Sequence, residues 1–207
     1  MPKQLVLDTS LFVNPASADA MGRGPTDALT RFLQLAKGNP NISLFMPPAI
    51  YRELMHFAEE PKISPTLLAL LQQRAPQKHN LQVPGFFIYS LVESFRDRVD
   101  RGLRLAERHV REALEVPPPP KPEKGVKGDV RADSKLVSGL RESFRRMMRE
   151  GMLDSKADVD LLLLAYEIKG TLVSADEGVL LWAENLGIEI LPYPQLLPLI
   201  QETISQK

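Results

Sequence analysis

Four aspartates stand where an α/β chain could gather them. "LVLDTS" at residues 5–10 runs apolar and stops on Asp8, and "LVSAD" at residues 172–176 repeats the arrangement and stops on Asp176. Short β-favouring runs of this kind read as strands covered on both faces, as in parallel sheets. In open α/β sheets ligands bind at the C-terminal edge of the strands, so two parallel strands would deliver Asp8 and Asp176 to one edge. Between them "LDSKADVD" carries Asp154 and Asp158, four apart and on one face of a helix beginning near Ser155, with Asp160 pointing elsewhere. Each acid also has a plainer reading. Asp8 can cap the following turn, and Ser155 with Asp158 resembles a capping box at a helix start where acids complement the dipole.

Converging carboxylates repel, and a low-dielectric site keeps several of them ionised only with a counter-charge. The chain has no Cys, and its three His, at positions 56, 79 and 109, are scattered. The candidate ligands are therefore hard oxygens, which favour Mg²⁺, with Mn²⁺ as a substitute, over zinc. Such ions bind phosphate oxygens, activate water and stabilise charge in phosphodiester hydrolysis. The acids that could share such a site are Asp8, Asp154, Asp158 and Asp176, with capping open for each. Ser10 and Ser174 are placed to hydrogen-bond the acids from behind, or to serve local turns.

These acids need a frame. A chain of 207 residues can bury one substantial core with an appendage. Alternating strand and helix patterns along it imply a parallel sheet with right-handed crossovers. Strands are expected at residues 5–7, 42–48, 171–173 and "IEILPY" (188–193), with helices from Thr26 to about Ala36, from Ala49, at Leu67–Leu71, from Ser155 to a stop at Gly170, and from Glu177 to a stop at Gly187. Ala16–Pro25 reads as a loop, and "NLQVPG" (80–85) as an extended link. Residues 87–115 form one long Pro-free stretch, residues 116–129 a Pro/Gly/Lys-rich breaker, and residues 130–150 a second helix. Two long helices around a breaker predict an antiparallel hairpin inserted in the body. The expected fold is α/β, a parallel sheet flanked by helices, with one domain made of residues 1–85 and 151–207 and the hairpin at 86–150.

Charge separates the two parts. The whole chain is neutral, with 26 basic and 26 acidic residues, yet residues 86–150 hold 15 Lys and Arg against 11 Asp and Glu. Arg101, Arg104, Arg108 and Arg111 recur at helical spacing, as do Arg141, Arg145 and Arg149, with Arg146 beside them. Alone such stripes read as solvated faces, with Asp97, Asp100, Glu107 and Glu112 as partners. Beside a phosphodiesterase site they read as a surface that tracks the phosphates of folded RNA. The same hairpin carries Leu103, Leu105, Ala106, Val110 and Leu114 with Leu136, Val137, Leu140 and Phe144, more apolar surface than one helix pair needs. The N-terminus has no apolar leader pattern and no run nears the roughly 20 residues of a membrane span, so a cytoplasmic protein without membrane partners is expected.

"VLDTS", an acid on the helix after the second strand, "ADVDLLLLA" and "LVSADEG", in that order, resemble the PIN domain, a family of metal-dependent ribonucleases. The match covers nearly all of the chain outside the hairpin. With the helical insert, the chain is similar to the HARP family of RNA-free ribonuclease P, which removes the 5′ leader of precursor tRNA. The resemblance implies that Asp8 is the first metal-site acid, Asp154 and Asp158 the pair before the buried helix, and Asp176 the acid after the late strand. It implies a supporting or capping place for Asp160, and makes Glu53 the candidate for the early-helix acid of many PIN domains. It also implies high-order homo-oligomers built through the hairpin. Two rivals are a toxin-type PIN ribonuclease, in chains that are usually shorter and lack the hairpin, and a non-catalytic PIN-like RNA-binding or assembly protein, which predicts a broken acid set.

Overall fold

Leu5, Val6 and Leu7 are fully buried because the strand they form lies inside the sheet and is covered on both faces. The structure, a computed structural model, describes residues 2–18, 21–115, 131–149, 153 and 155–205. This first strand, β1 (Lys3–Leu7), is followed by the short helices α1 (Ser10–Val13) and α2 (Pro15–Ala18), then α3 (Pro25–Ala36), β2 (Ile42–Met46), α4 (Pro48–Phe57), α5 (Pro65–Leu68) and β3 (Leu71–Gln73). After the hairpin helices α6 (Gly85–Glu115) and α7 (Arg131–Arg149) come α8 (Lys156–Glu167), β4 (Thr171–Val173), α9 (Glu177–Asn185) and α10 (Tyr193–Ser205). Pro25, Pro48 and Pro65 each open a helix, where proline's missing N–H has no intrahelical partner to lose.

All pairings are parallel, in the order β3-β2-β1-β4. Leu5 pairs with Thr171 and Leu7 with Val173, so the residues after those two strands, Asp8 and Ser174, leave the sheet side by side. The parallel sheet flanked by helices is the expected architecture, with four local differences. Leu71 begins β3 instead of ending a helix; α5 stops at Leu68, and β3 adds to the edge of β2 through Leu44↔Leu71. "IEILPY" makes only an isolated bridge between Ile190 and Leu172, since the chain turns at Pro192 into α10. The supposed loop after Ala16 starts inside the helical turn of α2. Gly170 is not the left-handed stop of α8: Lys169 takes that conformation, at φ 51°. Gly170 is needed for space, since a Cβ there would lie 3.1 Å from Val6 Cγ2 and 3.2 Å from the Gln4 carbonyl.

The chain divides into two compact units, Met1–Pro84 with Leu153–Lys207, and Gly85–Met152. In the second unit α6 and α7 pack on each other. Phe144 approaches so near to Gly102 that a Cβ there would sit 3.0 Å from its ring. Arg98 is buried on α6 and donates from Nη1 to the carbonyls of Met148 at 2.8 Å and Met147 at 3.3 Å. It thereby satisfies carbonyls in the last turn of α7, which have no intrahelical donor.

Candidate active site

Asp8 emerges from β1 into a buried position, 5% exposed, with its N–H on the Val173 carbonyl at 3.1 Å. Two hydroxyls converge on the same carboxylate oxygen, Oδ2: Ser10 Oγ at 2.5 Å and Ser174 Oγ at 2.6 Å. Behind each hydroxyl stands a backbone donor. Ala175 N–H donates to Ser10 Oγ at 2.9 Å, and Asp176 N–H to Ser174 Oγ at 3.0 Å. A serine hydroxyl has one proton, and both protons are spent on Asp8 although the two oxygens lie 3.2 Å apart. The pair is therefore an oriented cradle for a carboxylate.

Burial pushes the Asp8 carboxyl above its ordinary value of 3.8; the Ser10 and Ser174 hydroxyls oppose that rise, the charge of Asp176 adds to it, and the Thr9 N–H opposes it. Asp8 does not cap the following helix. The N-cap of α1 is Thr9, whose hydroxyl instead donates to the Ile50 carbonyl at 3.3 Å. Asp176 does cap: it precedes α9, and its Oδ1 accepts from Gly178 N–H at 2.7 Å and Val179 N–H at 3.1 Å. It stays exposed at the rim while its charge is felt by Asp8.

The other predicted acids fall on neighbouring elements. Asp158 is half-buried in the first turn of α8, and its N–H donates to the Ser155 side chain at 3.0 Å, so the backbone half of the capping box is formed. Asp154 lies outside the described residues. Asp160 faces Lys78, with Nζ 2.7 Å from Oδ1 and 2.9 Å from Oδ2. Glu53 is exposed on α4. The packing of α8 against β1, α4 and α9 brings the elements carrying these acids together. Among the described residues no group of three or more His, Asp or Glu side chains is arranged to hold a metal. The charge of Asp176 acts on Asp8, and no Lys, Arg or His among the described residues pairs with either. A buried carboxylate beside a second one, with only oxygen donors at hand, fits a hard divalent cation.

Several partnerships were not visible in spacing. Lys78 on Asp160, together with Arg74 Nη2 at 2.6 Å and Gln77 N–H at 2.7 Å on Glu167, fastens the segment after β3 along α8. Arg98 shares its helix face with Gly102 and Leu105, four and seven residues on; the spacing puts the three on one face, and only the packing of α7 buries that face. Of the predicted RNA-binding arginines, Arg101 pairs with Asp97 at 2.7 Å and Arg108 lies 3.9 Å from Glu112. Arg104, Arg111, Arg141, Arg145 and Arg146 are exposed and form no ion pair among the described residues; the Arg149 side chain lies outside them.

The model of the PINc domain ribonuclease family matches residues 4–205. An RNA-free ribonuclease P of Pyrococcus horikoshii is 43% identical over 187 residues, 90% of this chain and 85% of that protein. One of Pyrococcus abyssi is 39% identical over 204 residues, 98% and 94% of the two chains, and one of Nitrosococcus oceani 35% over 203 residues, 98% and 96%. The chain belongs to the PIN-domain ribonucleases of the RNA-free ribonuclease P (HARP) family. The PIN match spans the residues of the sheet unit and of α6 and α7 alike.

Proposed function

We propose that this chain is an RNA-free ribonuclease P, a divalent-metal-dependent endoribonuclease that removes the 5′ leader of precursor tRNA. The observation that carries this is the buried Asp8 carboxylate, held by two oriented serines next to Asp176 with no Lys, Arg or His among the described residues to balance it, in a PIN-domain chain whose relatives bear that name. Asp8, Asp158 and Asp176, with Asp154, are the residues that would hold Mg²⁺ or Mn²⁺. When bound, such an ion supplies positive charge for the phosphate oxygens and lowers the pKa of a water molecule. The chain's own contribution is orientation. Ser10 and Ser174 fix one oxygen of Asp8, and the cap on α9 fixes Asp176. Asp160, neutralised by Lys78, acts from behind by anchoring α8.

The arginine stripes of the hairpin give affinity for the RNA backbone, through Arg101, Arg104, Arg108 and Arg111 on α6 and Arg141, Arg145, Arg146 and Arg149 on α7. The outer face of α6 exposes Tyr89, Val92, Val99, Leu103, Val110 and Leu114, an apolar surface suited to joining copies of the chain into a higher oligomer. Among the described residues no helix is long and apolar enough to cross a membrane, and tRNA maturation puts the enzyme's work in the cytoplasm. The deciding experiment incubates the protein with a precursor tRNA carrying a labelled leader, with Mg²⁺ and with EDTA. Cleavage at the mature 5′ end only with Mg²⁺ is expected. No cut, or cuts elsewhere in the RNA, would overturn the proposal.

A further inference from the structure

We infer that the hairpin holds a site for a condensed phosphate chain, in the cleft where Arg101, Arg104 and Arg108 of α6 face Arg146 of α7. The three arginines of α6 occupy successive turns of one helix face. With Arg146 they border a cleft of about 320 Å³ whose floor includes Leu105 and Met147 and whose wall offers the Ser143 hydroxyl. Arg104 and Arg146 form no ion pair among the described residues, Arg101 is shared with Asp97 at 2.7 Å, and Arg108 reaches Glu112 only at 3.9 Å. Like charges gathered in one cleft repel. Asp97 offsets Arg101 and Glu112 stands at long range from Arg108, but no acid among the described residues pairs with Arg104 or Arg146, so the cleft favours an anion.

Charge density decides which anion. Each guanidinium offers a planar fork of donors that pairs with two phosphate oxygens. Four forks in one cleft exceed what a single phosphodiester group, with one charge and a sugar on either side, can accept. A linear chain of two or three phosphates brings several negative charges on contiguous groups and satisfies all four forks. Inorganic tripolyphosphate, a nucleoside triphosphate and the triphosphate end of an RNA share this chemistry. The site is a property of the hairpin alone and does not rest on the acid edge, though a free polyphosphate bound there would compete with RNA for the same arginines.

The test is calorimetric titration of the whole chain at fixed salt with tripolyphosphate and with orthophosphate. Tripolyphosphate is expected to bind at least about tenfold more tightly, with one site per chain. The exposed pair Arg104→Ala and Arg146→Ala is expected to lose that preference, while Arg141→Ala, outside the cleft, keeps it. Equal binding of the two anions, or an equal loss from Arg141→Ala, would reduce the cleft to diffuse charge and overturn the inference. Circular dichroism of each variant reports whether the helices persist; the Arg→Lys pair, which keeps charge but removes the forks, is expected to weaken tripolyphosphate selectively, and full retention would overturn the site as built from guanidinium forks. One short RNA carrying a 5′-triphosphate or a 5′-hydroxyl separates the sources: a wild-type preference for the triphosphate, abolished in the double variant, assigns the cleft to RNA ends, and equal binding beside tight tripolyphosphate assigns it to free polyphosphate. Cleavage of precursor tRNA is read independently of every arm, so failure of this site and failure of the nuclease reading are distinguishable.

Discussion

Asp8 is where the opposing forces of the site meet. Burial raises its pKa and two serine hydroxyls resist, so in the metal-free protein the folded chain holds a proton on Asp8 at pH values where the unfolded chain has released it. Stability from this group is accordingly full below the ordinary 3.8 and is lost as pH rises from there through the raised folded value. Thermal unfolding in EDTA across this range should show the wild type losing stability relative to Asp8→Asn, which has no such proton to release. The same substitution should abolish precursor-tRNA cleavage, measured with the labelled leader, while leaving binding of the RNA nearly unchanged, because the arginines are untouched. Ser174→Ala leaves a buried carboxylate oxygen short of one donor. Hydrogen bonds to charged groups contribute roughly 1.5–3 kcal/mol, so denaturant unfolding above the Asp8 titration should report a loss in that range. That Asp8 and Asp176 share an edge was legible from two short strands ending on acids. That Ser10 and Ser174 take the same oxygen was not, because it depends on the register Leu7↔Val173 between strands far apart in sequence.

At the level of elements, the periodic segments were legible and the non-periodic ones were not. The spacing of Leu29, Phe32, Leu33 and Ala36 identifies α3, and the Pro-free stretch identifies α6, because helix burial follows a local period. Strand β3 leaves no mark in the sequence because "LQQ" has one apolar residue and owes its strand conformation to the edge of β2. Composition assigns the end of α8 to Gly170, whereas the crowding of Val6 and Gln4 gives that glycine its role. Gly170→Ala should therefore destabilise the sheet unit by overpacking, by about 1–3 kcal/mol in denaturant unfolding. In the hairpin Arg98→Met would leave the carbonyls of Met147 and Met148 without their buried donor. Hydrogen exchange should speed up in the last turns of α7 and stay unchanged in β1 and β4, since the two units have separate cores.

For the whole molecule, the apolar residues left outside both cores matter most. Val99 is 70% exposed and Leu114 80%, on a helix whose buried side is already occupied by Phe87, Gly102 and Leu105. Light scattering of the wild type should give a mass well above 23.2 kDa, and Val99→Glu with Leu103→Glu should lower it without loss of helix content by circular dichroism. A monomeric wild type would refute assembly through this face. By itself the sequence determined the alternation of strands and helices, the hard-oxygen character of the acids and the basic hairpin, because each follows from local period, residue type or composition. Only the tertiary structure decided that Asp8 is cradled by two serines, that Asp160 belongs to Lys78, that Arg98 turns inward and that four other arginines share one cleft. Those outcomes depend on which distant residues become neighbours and how deeply they are buried, and strand register and helix packing set both.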